Sequence, residues 1–177
     1  MSEDKNGSIK ASEEEDLICN LGKVIPSLSK KAQRIIVIID KDRQNCVELK
    51  NKLQRKMVNC ACKYKIRIAC YELEAWFLGD MNAIYKCSPR FKADFFRGKK
   101  KYLDIDNLSD PKPSTEIETI VPDWKKNYTS KPKFAKTIAP FMSLERRDSE
   151  LANRSHSFHV FLDTLIDILN EQINLRR

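Results

Sequence analysis

Two aspartates, Asp40 and Asp42, stand one residue apart directly after the most apolar run of the sequence. That run, Ile35 to Ile39, is unbroken and mostly β-branched, which predicts a strand buried on both faces of a parallel sheet. Parallel sheets place their ligands at the carboxyl ends of the strands. If the chain stays extended, both carboxylates point the same way, and two carboxylates suit Mg²⁺ or Mn²⁺. The alternative is a strand that ends in a charged turn, where aspartate is common.

A second acidic pair, Glu72 and Glu74, follows another predicted strand. Charged and apolar residues alternate over residues 65–70, and residues 71–80 favour a short helix that ends at Gly79. Residues i and i+2 of a helix lie about 200° apart, so both glutamates cannot face one metal ion. One would then face the site while the other caps the helix or holds a basic side chain. The alternative is that both are first-turn glutamates favoured by the helix dipole.

The net charge of the chain is +8, with 33 lysine and arginine residues against 25 aspartate and glutamate residues. This excess favours polyanionic partners such as nucleic acid. One basic run contains Lys99, Lys100 and Lys101, which we predict to contact nucleic acid. Aromatic residues that could stack bases are interleaved with the basic clusters: Phe95, Phe96, Tyr102, Trp124, Tyr128 and Phe134. The alternative is a solvated basic face above ordinary core aromatics.

The six cysteines predict reduced thiols in a cytoplasmic protein. No secretory signal precedes them, and Cys60-Ala61-Cys62 lacks the two-residue gap of a zinc knuckle. His156 and His159 are the only histidines and are too few for a zinc site. No apolar run approaches the ~20 residues that a membrane span requires.

The polar composition of residues 1–16 predicts a flexible lead-in, and the length of 177 residues predicts a single α/β domain over residues 17–177. Apolar residues at helical spacing over residues 43–57 complete a strand–helix–strand unit over residues 34–79. From residue 104 onwards the many prolines predict loops and short helices. A final helix carries one apolar stripe from Phe158 to Ile173, with Ser155 or Ser157 as its N-cap.

Several short motifs accompany the acidic pairs. They are Asp40-Lys41-Asp42-Arg43, Asn45-Cys46, Leu49-Lys50, Arg67-Ile68-Ala69, Glu72-Leu73-Glu74-Ala75-Trp76, Leu78-Gly79-Asp80, Lys112-Pro113-Ser114, Ile138-Ala139-Pro140, Ser143-Leu144-Glu145, Arg154-Ser155 and Ser157-Phe158. Together they resemble the motifs of an uncharacterised prokaryotic family, the domain-of-unknown-function 4276 family, which is related to the Toprim fold. The resemblance extends from about Gly22 to about Leu169, most of the chain.

The resemblance implies a Toprim-like, partly parallel sheet flanked by helices, with a mainly helical C-terminal part. It also implies Mg²⁺- or Mn²⁺-dependent phosphodiester chemistry of the nuclease type, on DNA in preference to RNA. Asp40, Asp42 and Glu72 would hold the metal, and Glu74 would complete or support the catalytic site. Lys41 and Arg43 would steer the phosphate backbone. Members of the family resemble partners of AAA- or ABC-type ATPases in phage-defence or genome-maintenance operons.

The chain departs from the Toprim pattern at its first strand, which should end in a catalytic glutamate. Before Ile35 there is no apolar strand followed by such a residue, because Glu13, Glu14 and Glu15 lie in a polar run. We therefore expect this strand and its glutamate to be missing, which leaves a sheet edge that favours homo-oligomers. Two alternatives to a nuclease follow. One is a non-catalytic subunit that binds nucleic acid or an ATPase, and the other is an interaction domain whose acids form turns.

Overall fold

The computed structural model describes residues 2–3, 9–10, 14–108, 110–127 and 130–174. The chain divides into two compact units, unit 1 (Met1–Ile68) and unit 2 (Ala69–Arg177). Together they give a mixed α/β protein with a short parallel two-stranded sheet and a helical C-terminal part. Within the described ranges, no helix is both long enough and apolar enough to span a lipid bilayer.

Unit 1 contains the predicted strand–helix–strand arrangement. Its elements are β1 (Ser2–Glu3), β2 (Ile9–Lys10), α1 (Glu14–Lys31), β3 (Arg34–Asp40), α2 (Cys46–Lys56) and β4 (Lys63–Ala69), whose last residue begins unit 2. Strands β1 and β2 pair antiparallel, while β3 and β4 are neighbours in the parallel sheet. Of the expected lead-in, β1, β2 and the start of α1 are described, whereas residues 1, 4–8 and 11–13 lie outside the described part.

The core of unit 1 lies between the sheet and the apolar faces of α1 and α2. Its buried members are Ile18, Leu21, Ile25, Val37, Ile39, Leu49, Leu53, Met57 and Ile66. Strand β3 alternates in burial, since Val37 and Ile39 are each 5% exposed while Ile38 between them is 40% exposed. The prediction of a strand buried on both faces is therefore wrong. Both helices pack on the face that Val37 and Ile39 present, and an unbroken apolar run cannot reveal this choice.

Unit 2 is built from short helices and one long one. They are α3 (Glu74–Leu78), α4 (Met81–Cys87), α5 (Ala93–Arg97), α6 (Pro113–Ile120), α7 (Trp124–Asn127), α8 (Lys131–Ile138) and α9 (His156–Asn174). Three short 3₁₀ turns, Lys100–Tyr102, Ile105–Asn107 and Ala139–Phe141, connect some of them. The predicted loops and short helices after residue 104 are confirmed. Prolines lie in the first turn of α6 and of α8, where their missing N–H costs nothing.

The start of the C-terminal helix is confirmed at Ser155. The backbone N–H of Phe158 donates to Ser155 Oγ at 3.1 Å, which satisfies one of the free N–H groups at the start of α9. The predicted apolar stripe divides along its length. Phe158 and Leu162 are buried in the core, whereas Leu169 and Ile173 are more than half exposed.

Candidate functional site

Asp40 and Asp42 lie in the loop that joins β3 to α2. Asp40 is the last residue of the strand and is half-buried. The N–H of Gln44 donates to the carbonyl of Lys41 at 3.0 Å, so the chain turns at once. Asp42 has a φ of 48°, in the left-handed region, and the chain is therefore not extended there. The condition for the predicted alignment of the two carboxylates is not met, although both remain in one loop of unit 1.

Left-handed backbone marks both acidic segments. A non-glycine residue in this region costs of order 1–2 kcal/mol, and such residues cluster at functional sites. Aspartate tolerates the conformation, because its short side chain can hydrogen-bond locally. Tyr71, directly before Glu72, has a φ of 68°, which is rarer for a bulky residue. The left-handed residues are thus Asp42 itself and Tyr71 beside Glu72, and Asp123, in neither acidic segment, shares this conformation.

Glu72 precedes α3, and its side chain binds the start of α6. Its side chain is buried, and Oε2 accepts a hydrogen bond from the backbone N–H of Ser114 at 3.0 Å. Oε1 lies 3.7 Å from Lys112 Nζ. Glu72 is thus an acidic cap at the start of α6, where the helix dipole favours negative charge. The predicted helix over residues 71–80 is shorter than expected and leaves Glu72 outside it.

Replacing Glu72 by alanine is expected to lower the free energy of unfolding by about 2 kcal/mol, because the buried Ser114 N–H loses its acceptor. Glu72→Gln keeps an acceptor oxygen and should cost less than about 1 kcal/mol. Urea denaturation measures both, with Glu118→Ala on the exposed side of α6 as the control. Equal stability of Glu72→Ala and Glu118→Ala would contradict the capping role.

Glu74 and Asp80 are also engaged inside unit 2. Glu74 begins α3, is 9% exposed, and has Oε1 at 3.4 Å from Lys131 Nζ. Asp80 caps α4 by accepting from Ala83 N at 2.9 Å, and its other oxygen accepts from Ser143 N at 2.5 Å. Burial raises the pKa of the Cys87 thiol to about 11, and the negative charge of Asp80 adds to this shift.

A buried polar network is centred on Asp106 and was not predicted from the sequence. Asp106 Oδ1 accepts from Ser155 Oγ at 2.6 Å, and Oδ2 accepts from Ser157 N at 2.6 Å. Ser157 Oγ in turn accepts from Trp76 Nε1 at 2.9 Å. Asn153 Nδ2 donates to the carbonyl of Trp76 at 2.7 Å. The only sequence signal for this network was that Trp76, Ser155 and Ser157 belong to motifs, since Asp106 stands in a turn-rich segment.

The predicted nucleic-acid contacts have different environments. In unit 1, Lys41 is half-buried and Arg43 is exposed. In unit 2, Lys99, Lys100 and Lys101 are all exposed, and Lys101 Nζ lies 2.7 Å from Oε1 of the buried Glu116. Among the interleaved aromatics, Tyr102, Trp124 and Phe134 belong to the core, as the alternative interpretation held, and Tyr128 lies outside the described residues. Phe95 is 58% exposed and Phe96 is half-buried.

The metal-site prediction names Asp40 and Asp42 of unit 1 and Glu72 of unit 2. Within the described parts of the chain, no three His, Cys, Asp or Glu side chains form a group that could hold a metal. Asp40 and Asp42 supply hard oxygen donors, and Mg²⁺ is commonly held by one or two carboxylates together with water and substrate phosphate. The donor chemistry of this loop therefore fits Mg²⁺. Glu72 and Glu74 belong to unit 2 and are engaged there with Ser114, Lys112 and Lys131.

Comparison with known protein families shows a match over most of the chain. A sequence model of the family described as a domain of unknown function (DUF4276) matches residues 4–166 of this chain. No curated protein and no solved structure matches the chain. The matched residues include both acidic pairs, the Asp106 network and most of α9. Because the match covers most of its length, the chain belongs to the DUF4276 family.

Proposed function

We propose that the protein carries out Mg²⁺-dependent, nuclease-type phosphodiester chemistry on nucleic acid, with Asp40 and Asp42 as its metal-binding residues. The observation that carries the proposal is the loop after β3. Asp42 is held in left-handed backbone there, between Lys41 and Arg43, at the carboxyl end of a parallel strand. Ligand sites in parallel sheets occur at this end, and maintained strain is typical of functional loops.

Each residue of this loop has a role in the proposal. Asp40 and Asp42 would hold the ion through carboxylate oxygens, leaving the remaining positions to water and phosphate. Bound Mg²⁺ supplies charge neutralisation at the scissile phosphate and orients a water molecule. Lys41 and Arg43 would bind flanking phosphates, which fits the net charge of +8. A Toprim-like relation agrees with this assignment and is part of the proposal.

A second candidate function is nucleic-acid binding without cleavage, in a subunit that serves an ATPase partner. The observation that favours it is the engagement of Glu72 and Glu74. Glu72 caps α6 and is near Lys112, and Glu74 is near Lys131, so both carboxylates already have structural partners. A protein of this kind would retain phosphate contacts and would not need a third acidic ligand.

Calorimetric titration with Mg²⁺ and Mn²⁺, together with nicking of supercoiled plasmid, tests the proposed function. We expect wild type to bind the ion and nick the plasmid, and Asp40→Asn/Asp42→Asn to do neither. The matched control is Asp163→Asn/Asp167→Asn on exposed positions of α9, which removes the same two charges. This control, purified identically, also accounts for any contaminating nuclease.

The outcomes separate the two candidates. Metal binding without nicking in wild type would contradict the nuclease and support the binding subunit. Absence of metal binding in wild type would overturn the assignment of Asp40 and Asp42. Loss of activity in the Asp163→Asn/Asp167→Asn control as well would show that the effect comes from net charge and not from the loop.

A further inference from the structure

A surface pocket in unit 2 lies beside α4 and α5. It has a volume of about 460 Å³, and its lining includes Asn82, Tyr85, Phe91, Lys92 and Phe95. This volume falls in the range of small-molecule and nucleotide-sized sites, of order 300–1,000 Å³. None of these residues belongs to either acidic pair.

Two large aromatic side chains of this pocket are open to solvent. Tyr85 is 50% exposed and Phe95 is 58% exposed. Large apolar side chains usually gain free energy from burial, so two exposed aromatics at one pocket mark a candidate binding surface. Their flat faces are suited to stacking against other flat rings.

Phe95 is supported by packed aromatic rings below it. Its ring meets Phe96 edge to face, with centroids 5.2 Å apart. Phe96 stacks on the buried Phe91, with centroids 5.0 Å apart and planes within 2°. This packing restricts the rotamers of the supporting rings, so a ligand would lose little conformational entropy when it orders the platform.

The chain segment that contains the pocket residues is rich in basic residues, of which Arg90 pairs with Asp123 and Lys101 with Glu116. Residues 82–101 contain seven lysine and arginine residues and one aspartate. That aspartate, Asp94, lines the pocket, and its Oδ1 lies 3.6 Å from Nη1 of Arg97, which offsets its charge. Lys99 Nζ lies 4.3 Å from the centroid of the Phe95 ring. Lys92 lines the pocket, and Lys92, Lys99 and Lys100 are exposed. Positively charged lysine side chains therefore lie near the exposed Phe95 ring and at the pocket.

We propose that this pocket binds single-stranded nucleic acid. Bases stack on Phe95 and Tyr85, and the phosphate backbone contacts Lys92, Lys99 and Lys100. Aromatic platforms inside a basic groove are the arrangement by which proteins bind single strands without reading their sequence. In a duplex the base faces are covered by their neighbours, so the platform discriminates against double strands. Single-stranded nucleic acid would then be the substrate in the proposed function, on which this assignment rests, although different residues carry it.

Fluorescence anisotropy with a labelled oligothymidine of about 12 nucleotides, a length within the usual site sizes, tests the inference. The buffer contains EDTA, so metal-dependent cleavage cannot contribute. Stacking is worth about 1–3 kcal/mol per base, so Phe95→Leu and Tyr85→Leu should each weaken binding at least about 5-fold. Phe141→Leu, which changes a 42% exposed phenylalanine outside the pocket, should leave the affinity unchanged.

The lysines are tested by salt dependence. Lys99→Gln/Lys100→Gln should lower the slope of log affinity against log salt by about 1.4, since each single-strand phosphate contact contributes about 0.7. Lys23→Gln/Lys30→Gln, on exposed positions of α1, removes the same charge and should leave the slope unchanged. Thermal melts should show every variant folded, because the altered side chains are at least partly exposed.

Three results would overturn the inference. These are equal affinity for duplex and single strand, equal loss in Phe95→Leu and Phe141→Leu, or competition by polyglutamate as strong as competition by unlabelled oligothymidine. The EDTA buffer distinguishes this inference from the proposed function, because oligothymidine binding is measured there without metal. Wild type should bind oligothymidine in EDTA even if it neither binds Mg²⁺ nor nicks plasmid.

Discussion

Replacing Gly79 by alanine is expected to lower the free energy of unfolding of unit 2 by about 3 kcal/mol. An alanine Cβ would lie 2.1 Å from Asn153 Oδ1 and 2.9 Å from the backbone N of Ser155. Asn153 cannot move aside cheaply, because Oδ1 accepts from Ser155 N at 2.8 Å and Nδ2 donates to the carbonyl of Trp76. The carbonyl of Gly79 also accepts from Arg154 N at 2.9 Å.

The matched control is Gly98→Ala, at the corresponding position after α5. Both glycines follow a five-residue helix with right-handed backbone, at φ −63° and φ −71°. An alanine at Gly98 would meet its nearest atom at 3.5 Å, which is ordinary van der Waals contact. Gly98→Ala should therefore keep or slightly raise stability. Urea denaturation measures both variants, and similar midpoints of unfolding would contradict the close approach at Gly79.

Replacing Asp106 by alanine should cost roughly 3 kcal/mol or more, the second large stability effect that we expect. Hydrogen bonds to charged groups contribute about 1.5–3 kcal/mol each, and Asp106 accepts from Ser155 Oγ and Ser157 N at 2.6 Å. Both serines are buried, so the backbone N–H of Ser157 would be left without its acceptor. The loss should also loosen Trp76, whose Nε1 donates to Ser157 Oγ.

Urea denaturation followed by tryptophan fluorescence measures this effect in unit 2 alone, because both tryptophans, Trp76 and Trp124, lie there. The control is Asp104→Ala. Asp104 is exposed and accepts a local bond from Asn107 Nδ2 at 2.7 Å, so the change should stay within about 0.5 kcal/mol. A loss in Asp106→Ala no larger than in Asp104→Ala would show that the network does not stabilise the unit.

The contacts of unit 2 give a structural meaning to several motifs that carry the family resemblance. Glu72 of the Glu-Leu-Glu-Ala-Trp motif caps the helix that Lys112-Pro113-Ser114 begins. Trp76 of the same motif donates to Ser157, and Asp80 accepts from Ser143. Residues far apart in sequence thus form one scaffold.

Local sequence patterns determined most of the secondary structure. Asn45 caps α2, and Leu49 and Leu53 within it and Met57 directly after it are buried at the predicted spacing of three and four residues. Prolines correctly predicted loops and short helices after residue 104, and Ser155, one of the two predicted caps, caps α9. These features depend on neighbours a few residues away, so the sequence alone can specify them.

Three features depended on the tertiary structure. Gly79 ends α3 with ordinary right-handed backbone, and what requires glycine is the side chain of Asn153, 74 positions further along the sequence. Glu72 has a carboxylate of the kind that binds metal ions, yet the partners of this carboxylate in unit 2 are Ser114 and Lys112. Asp42 departs from the extended conformation that an apolar strand leads one to expect. In each case the deciding contact or turn is absent from the local pattern, because folding brings together groups whose separation along the chain carries no periodic signal.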